Sequence, residues 1–550
     1  MRVRRLSRSL FLVVLLSVGV GAQQATAPRG AEAIAEADLR QWLTYLASDE
    51  LQGRATFSEG LGVAAGYIAA HLAQWGVKPA GDGGTYLQAV RVRSVRTHSR
   101  ASVTVQANGQ TRTFRDGEGI TFPRQMGGRQ TVEGSEILFA GYGLEIPSAG
   151  IDDYANLSPA GKIVVYLGAQ GPATLPQGAG RLLAGRARTA IEKGAIAVIG
   201  PAAAGGRGRG ATPPAGATAP AQPDNGDFTT VRRYDRVVTP QLTAHDDFLE
   251  FLFSGADVTY ADLRAKAASR EPLPRVALTG VKITIDVDAD YEIVRTRLTN
   301  NVVGIVEGTH PALKDTYVAF GAHYDHNGFR ENAKPGEDAI FNGADDDGSG
   351  TVAIMAIAKA FATGERPKRS LLFVWHAGEE IGLLGSQYMA DYPVVGSIDK
   401  IVAQLNMDMV GRNRNDDPAA SNMVLVVGAD RISTELHNIN EDANQALPKP
   451  LTLDYEMNDP ADPMSIYTRS DHYSYAAKGV PIIFYFTGLH ADYHRPSDTV
   501  DKILFDKLRR VAQLAYETGR RVAEMDRPLV KDNLGPRAGK GFQGKLPEKR

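Results

Sequence analysis

Cysteine is absent from the whole 550-residue chain. Its absence excludes disulfides, a thiolate nucleophile, a Cys-ligated zinc and a lipidated cysteine. A surplus of either charge is also missing: 61 Lys and Arg stand against 63 Asp and Glu, a formal net charge of -2. Without a basic excess, nucleic acid is not an expected partner. Long apolar runs are scarce. The one near the N-terminus, Leu10 to Val20, follows Arg2, Arg4, Arg5 and Arg8 and precedes small residues. That order has the form of a secretory signal over residues 1–27, with cleavage expected after Ala22 or Ala27. The run is too short for a stable membrane span in the mature chain. An exported protein, periplasmic or secreted, is expected, and without disulfides its stability has to come from core packing and from any bound metal.

The remaining composition, 43% apolar and 23% charged, is that of a soluble globular protein. The length calls for two or three domains. From Ala37 to about Val92 the pattern is mostly helical, with a second helix from Val63 to Trp75. From about Thr97 to Val281 short β-like runs take over: Ala101–Val105, Glu136–Phe139, Lys162–Leu167 and Ala195–Ile199. Residues 202–226 within that stretch are rich in Gly, Ala and Pro and are expected to form a flexible loop. From about Lys282, apolar runs (Tyr317–Phe320, Leu371–Trp375, Ile401–Asn406, Val424–Val427, Val480–Phe486) alternate with helical segments (Val352–Phe361, Ile432–Asn444, Ile503–Met525). Such alternation predicts an α/β fold with a doubly wound, mostly parallel sheet flanked by helices. Residues 527–550 read as a disordered tail.

Five short segments concentrate His and carboxylates: Gly321-Ala-His-Tyr-Asp-His326, Gly343-Ala-Asp-Asp-Asp-Gly-Ser-Gly350, His376-Ala-Gly-Glu-Glu380, Gln404-Leu-Asn-Met-Asp408 and Asp492-Tyr-His-Arg-Pro-Ser-Asp498. Four closely follow apolar strands, and an open α/β sheet gathers ligands at the carboxyl ends of its strands. Singly, each segment is ordinary: a hydrogen-bonded strand-end His, or acids at a helix start. Together they would concentrate charge at high cost unless a cation neutralised it. Three carboxylates with two imidazoles suit zinc, with manganese or cobalt as options, and the number of ligands fits two metals sharing one carboxylate. A calcium loop is excluded, because the twelfth residue counted from Asp345 is Ala356. No His-Glu-x-x-His, Gly-x-Ser-x-Gly or P-loop sequence competes.

In this order the five segments resemble the co-catalytic zinc exopeptidase family, which includes bacterial leucyl aminopeptidases, glutamate carboxypeptidases and the transferrin receptor. Leu46-Ala-Ser-Asp-Glu-Leu-Gln-Gly-Arg54 is similar to the family's N-terminal segment. The resemblance implies a discontinuous peptidase domain over residues 37–95 and 282–526. The intervening residues 96–281 resemble a mainly-β protease-associated domain, through Gly141-Tyr-Gly143, Asp152-Asp-Tyr154, Gly161-Lys-Ile-Val-Val165 and Lys193–Gly200. It further implies two zinc ions, with Asp345 as the carboxylate shared between them, His323 and Asp408 completing one metal, and Glu380 and His494 the other. By the same resemblance Glu379 is the general base, Tyr493 an oxyanion donor and Asp325 the acid that orients the His323 ring. Asp346 then follows the shared aspartate, where the family has a cis peptide. His326, His376, His472 and His490 receive no ligand role.

The function implied is a metal-dependent aminopeptidase acting on peptides or small proteins. A one-zinc glutaminyl cyclase-like acyltransferase, a carboxypeptidase and a non-catalytic receptor-like protein remain alternatives. A carboxypeptidase for acidic peptides would need an arginine near the site, for which Arg330, Arg412 and Arg469 are candidates. Side-chain preference and oligomeric state stay open.

Overall fold

The structure, a computed structural model, describes residues 30–175, 178, 180–201, 227–230, 236–533 and 544–546. The signal over residues 1–27 and the loop over 202–226 lie outside the described residues.

One large sheet organises the chain. Its strands are β1 (Leu87–Ser99), β2 (Ala289–Val306), β3 (Tyr317–His323), β4 (Ser370–His376), β5 (Ile401–Met407), β6 (Met423–Val427), β7 (Thr452–Asp454) and β8 (Ile482–Phe486). They lie in the order β1-β2-β4-β3-β5-β8-β6-β7, with Asp227–Thr230 outside β1 and Lys78–Pro79 on β2. The centre, β4-β3-β5-β8, is parallel. These strands are apolar along both faces because helices cover both. Phe320, Phe373 and Leu405 pack to one side with α1 (Glu36–Leu46), α2 (Glu59–Gln74), α3 (Gly350–Thr363), α5 (Thr434–Gln445) and α6 (Phe505–Ala523). Ala319, Leu372 and Val374 pack to the other, with Met389 of α4 (Leu384–Asp391) and Tyr475. The α/β class and the doubly wound, mostly parallel sheet agree with the pattern in the sequence. The strands and helices expected in the C-terminal half each lie within a few residues of their expected spans; the helix Leu384–Asp391 and the strand Thr452–Asp454 were not expected.

Three boundaries differ from expectation. Residues 87–92, expected to be helical, belong to β1, whose alternating burial places Val90 and Val92 inside. Between β1 and β2 the chain contributes Asp227–Thr230 to the edge of the large sheet, and its other strands form a six-stranded, a four-stranded and a two-stranded sheet. The four-stranded sheet includes Lys282–Val287, which pairs with Ser102–Ala107 and Gln130–Gly134. Ile283, Ile285 and Val287 pack with Val103, Phe139 and Phe248 in a core separate from the main one. The insert therefore runs to about residue 288 rather than 281. It also carries helices, at Arg186–Glu192, Asp246–Leu252 and Tyr260–Ala268. Third, the expected tail is partly packed. Leu529 joins the main core, Arg527 pairs with Glu435 on α5, and Leu546 is buried.

Burial of Leu529 gives a direct test. Leu529→Ala is expected to cost about 2 kcal/mol, the lower end for truncating a buried leucine, seen as a lower thermal unfolding midpoint. An unchanged melting curve would return this segment to the unstructured tail.

Candidate metal centre

The parallel strands β4, β3, β5 and β8 end side by side, and each carries its chemistry just past its last residue. β3 ends at His323 and continues into Asp325 and His326; β4 ends at His376 before Glu379 and Glu380; β5 delivers Asp408; β8 leads to the loop holding His490, Tyr493 and His494. The turn before α3 brings Asp345, Asp346 and Asp347 over these ends, all buried.

Asp346 lies at the middle of the cluster. Its Oδ1 faces His323 Nε2 at 3.3 Å, and the same nitrogen lies 3.7 Å from Asp408 Oδ1. Its Oδ2 faces the other way, 3.0 Å from His494 Nε2 and 3.9 Å from His326 Nδ1. Glu380 closes that second group, with Oε2 3.1 Å from His494 Nε2 and Oε1 2.7 Å from His326 Nδ1. Ligands tetrahedrally placed about 2 Å from an ion stand roughly 3.3 Å apart, close to most of these spacings. His323 Nε2, His326 Nε2 and Asp346 Oδ2 are buried without a hydrogen-bond partner among the described residues. Converging lone pairs that do not pair off are costly in a protein interior and fit a bound cation. His323 is set for this: its Nδ1 lies 3.1 Å from the Asp325 carbonyl, which can only accept, so Nε2 is left with its lone pair towards the cluster.

The structure thus brings His323, Glu380, Asp408 and His494 together, and the aspartate that lies among them is Asp346, not Asp345. Asp345 turns away: its Oδ1 accepts from the Gly411 amide at 2.7 Å, and its Oδ2 lies 3.2 Å from His490 Nε2. The reason is local. Asp346 is near-extended and Asp347 non-helical, so the neighbouring side chains do not follow one helical face and point in different directions. The cis peptide likewise joins Asp346 to Asp347, one step later than expected. Asp347 serves the backbone, accepting from the amides of His323, Met409 and Gly350. His326, given no role from the sequence, enters the cluster. The available signal was a second imidazole three residues after the first on the loop leaving β3.

The Asp325 carboxylate does less for His323 than expected, lying 3.7 Å from its ring. It accepts instead from the Thr56 hydroxyl at 2.8 Å and the Glu379 amide at 3.2 Å, so it positions the turn carrying Glu379. Burial lifts Asp325 to about 6. Glu379 is raised well above the usual carboxylate range, by burial and by the charge of Glu380 beside it. For His494 burial acts downward, but the carboxylates of Asp346 and Glu380 lift it to about 10. His376 and His472 stay outside the cluster, on Tyr475 and on the Tyr467 carbonyl.

A cleft opens beside the cluster. Asp346, Glu379, Asp408 and His494 line one side; Met409, Ile466, Phe484, Phe486 and Leu489 give the other an apolar surface. Tyr493 stands between them with its hydroxyl accepting from Arg469 Nη2 at 3.2 Å. Of the three candidate arginines, Arg330 lies against Glu337 and Arg412 is held by Asp416 and Asp492; Arg469 alone lines the cleft.

Behind the cluster lies Arg54, fully buried, with its guanidinium donating to the carbonyls of Leu46, Tyr324, Asn342 and Gly343. It ties the N-terminal segment to both loops that carry the cluster. Burial lowers it to about 10, against the pull of Asp325, Asp498, Asp347 and Asp346.

Residues 301–519 match the sequence profile of Peptidase family M28. A probable leucine aminopeptidase of Arthroderma otae is 30% identical over 222 residues, 38% of this chain and 55% of that protein. One of Arthroderma benhamiae is 32% identical, also over 38% and 55%. The chain thus spans about half the length of these curated relatives. Among solved structures, the aminopeptidase from Aneurinibacillus sp. strain AM-1 aligns over 94% of this chain and 98% of its own, at 18% identity and a TM-score of 0.43. BSAP, a zinc aminopeptidase from Bacillus subtilis, aligns over 91% and 97%, at 17% identity and a TM-score of 0.42.

Arg54→Met would strand four buried carbonyls and remove a buried cation from among aspartates. It is expected to cost about 3–5 kcal/mol, measured by thermal or denaturant unfolding. A variant that unfolds together with the wild type would show that Arg54 does not hold the loops.

Proposed function

We propose that this chain, whose residues 301–519 match Peptidase family M28, is an exported aminopeptidase that uses two metal ions, zinc by preference and manganese or cobalt as substitutes. The observation that carries the two-metal reading is the division of Asp346, whose Oδ1 and Oδ2 face separate groups of ligands. One group would be His323, Asp346 and Asp408; the other would be Asp346 and Glu380 with His494, which faces both of them. A one-zinc cyclase would leave one of these groups without purpose, and a receptor would have no use for a buried general base. When bound, two divalent ions supply the Lewis acidity that polarises the scissile carbonyl.

The chain's own residues do the remaining work. Glu379, held through its amide by Asp325, accepts the proton of the attacking water and returns it to the departing amine. Tyr493 has its oxygen engaged by Arg469, which leaves its hydroxyl proton free to donate to the developing oxyanion. The apolar surface of Met409, Ile466, Phe484 and Leu489 suits an aliphatic or aromatic N-terminal side chain. The separate insert, with a core of its own, supports the reading of a protease-associated domain. Among the described residues no helix is long and apolar enough to cross a membrane.

The purified protein is expected to release leucine anilide faster than lysine anilide, to lose this activity to a chelator and to recover it with zinc, with about two ions per chain. Glu379→Gln is expected to keep both ions and lose about 10²–10⁴-fold in kcat. Chelator-insensitive release, or full turnover by Glu379→Gln, would sink the reading. Release of C-terminal residues alone would favour a carboxypeptidase, with Arg469 as the group that meets the carboxylate.

The choice of aspartate is tested separately. Asp346→Asn is expected to lose both ions, whereas Asp345→Asn keeps them, as read by metal analysis of the folded proteins. The reverse result would restore Asp345 as the shared ligand.

A further inference from the structure

His326 is the buried imidazole that the proposed ligand set leaves unused. Its side chain is fully buried, and its Nε2 has no hydrogen-bond partner among the described residues. Nδ1 points at the second ligand group, 2.7 Å from Glu380 Oε1 and 3.9 Å from Asp346 Oδ2. Glu380 Oε1 already accepts from Asn327 Nδ2 at 3.2 Å, so it does not depend on His326 for a donor. The ring has a prepared slot. A Cβ at Gly343 would come within 2.6 Å of it, and the positive φ of 56° at that residue also favours glycine. The His326 amide donates to the Arg54 carbonyl at 3.1 Å, which fixes the strand end that carries the ring. Its ring centre lies 5.7 Å from that of His494, and the two planes are nearly perpendicular at 72°, so both imidazoles can face one point without stacking.

We infer that His326 is a direct ligand of the metal held by Asp346, Glu380 and His494, giving that centre two imidazoles. The inference rests on the two-metal reading above and adds to it an asymmetry. Four side chains then serve one ion and three the other. Closed sites hold metal, while sites with fewer protein ligands keep a position for substrate. His323 and Asp408, with fewer protein ligands beside them, would then form the more open and more readily chelated side, and His326 would help hold Asp346 and the turn before α3.

The test counts imidazoles in the zinc-loaded, full-length protein by X-ray absorption. Three imidazoles over two ions give about 1.5 per zinc, and two give about 1. The expected count is about 1.5, falling to about 1 in His326→Ala, with the dissociation constant of one zinc equivalent raised about ten-fold or more. A wild-type count near 1 with two zinc bound would overturn the ligand role and leave the two-metal reading intact. His326 would then be a positioning residue for Glu380. A protein that binds no zinc would remove both. The wild-type count decides the question even if His326→Ala does not fold.

Discussion

The chain buries more negative charge at one edge of its sheet than its own cations can balance. Asp325, Asp345, Asp346, Asp347, Asp408, Asp471 and Asp498 are all buried around the ends of β3, β4 and β5, and an isolated carboxylate in such surroundings costs several kcal/mol. Two arginines answer part of this. Arg54 neutralises the side facing the N-terminal segment, and Arg412 the side of Asp492 and Asp498. Between them lies the group around Asp346, where only imidazoles face the carboxylates. The same gap explains the unpartnered nitrogens of His323 and His326. A divalent cation fits both the charge and the open valences.

Most of the remaining polar structure serves to hold that arrangement open before any cation arrives. Asp498 accepts from the amides of Asp345 and Asp346, Asp347 from three more, and Asp345 from Gly411. Each of these carboxylates fixes backbone and leaves the side chain of Asp346 as the one free to face inward. Asp498 and Asp325 are both lifted to about 6, chiefly by burial. Acting on its own, a carboxyl raised in this way favours the folded state most when protonated, and that advantage is lost as pH rises through about 6. Above that pH the folded chain bears buried negative charge, which gives a bound cation a larger share in its stability.

The sequence made the sheet legible because its central strands are continuous apolar runs, and the position of the site because those runs end in His, Glu-Glu and Asp. It did not fix the register within Asp345-Asp346-Asp347. Three identical residues carry no chemical difference, and the one that turns inward is decided by the non-helical backbone at 346 and 347. His326 was passed over because spacing along a loop does not say where a ring points; only the space left by Gly343 does. The strand Lys282–Val287 was assigned to the wrong side of the domain boundary because its alternating pattern is that of any half-buried strand. Its partners, Ser102–Ala107 and Gln130–Gly134, lie more than a hundred residues away. Leu529 and Leu546 sit among Gly, Pro and Lys, whose composition conceals that single leucines there find a surface to pack on.

The adjacent pair Glu379 and Glu380 shows how local surroundings divide two identical groups. Both are shielded from water, and burial acts upward on both. For Glu380 the facing rings of His326 and His494 outweigh that push and hold it below the usual range, as suits a carboxylate committed to a cation. Glu379 has no imidazole in hydrogen-bond contact. Burial and the neighbouring negative charges leave it well above the ordinary range, as suits a group that must take a proton and give it back. The two side chains leave the turn after His376 towards different neighbours, Glu379 lining the cleft and Glu380 facing His326 and His494, and the acidity of each follows from what it then meets.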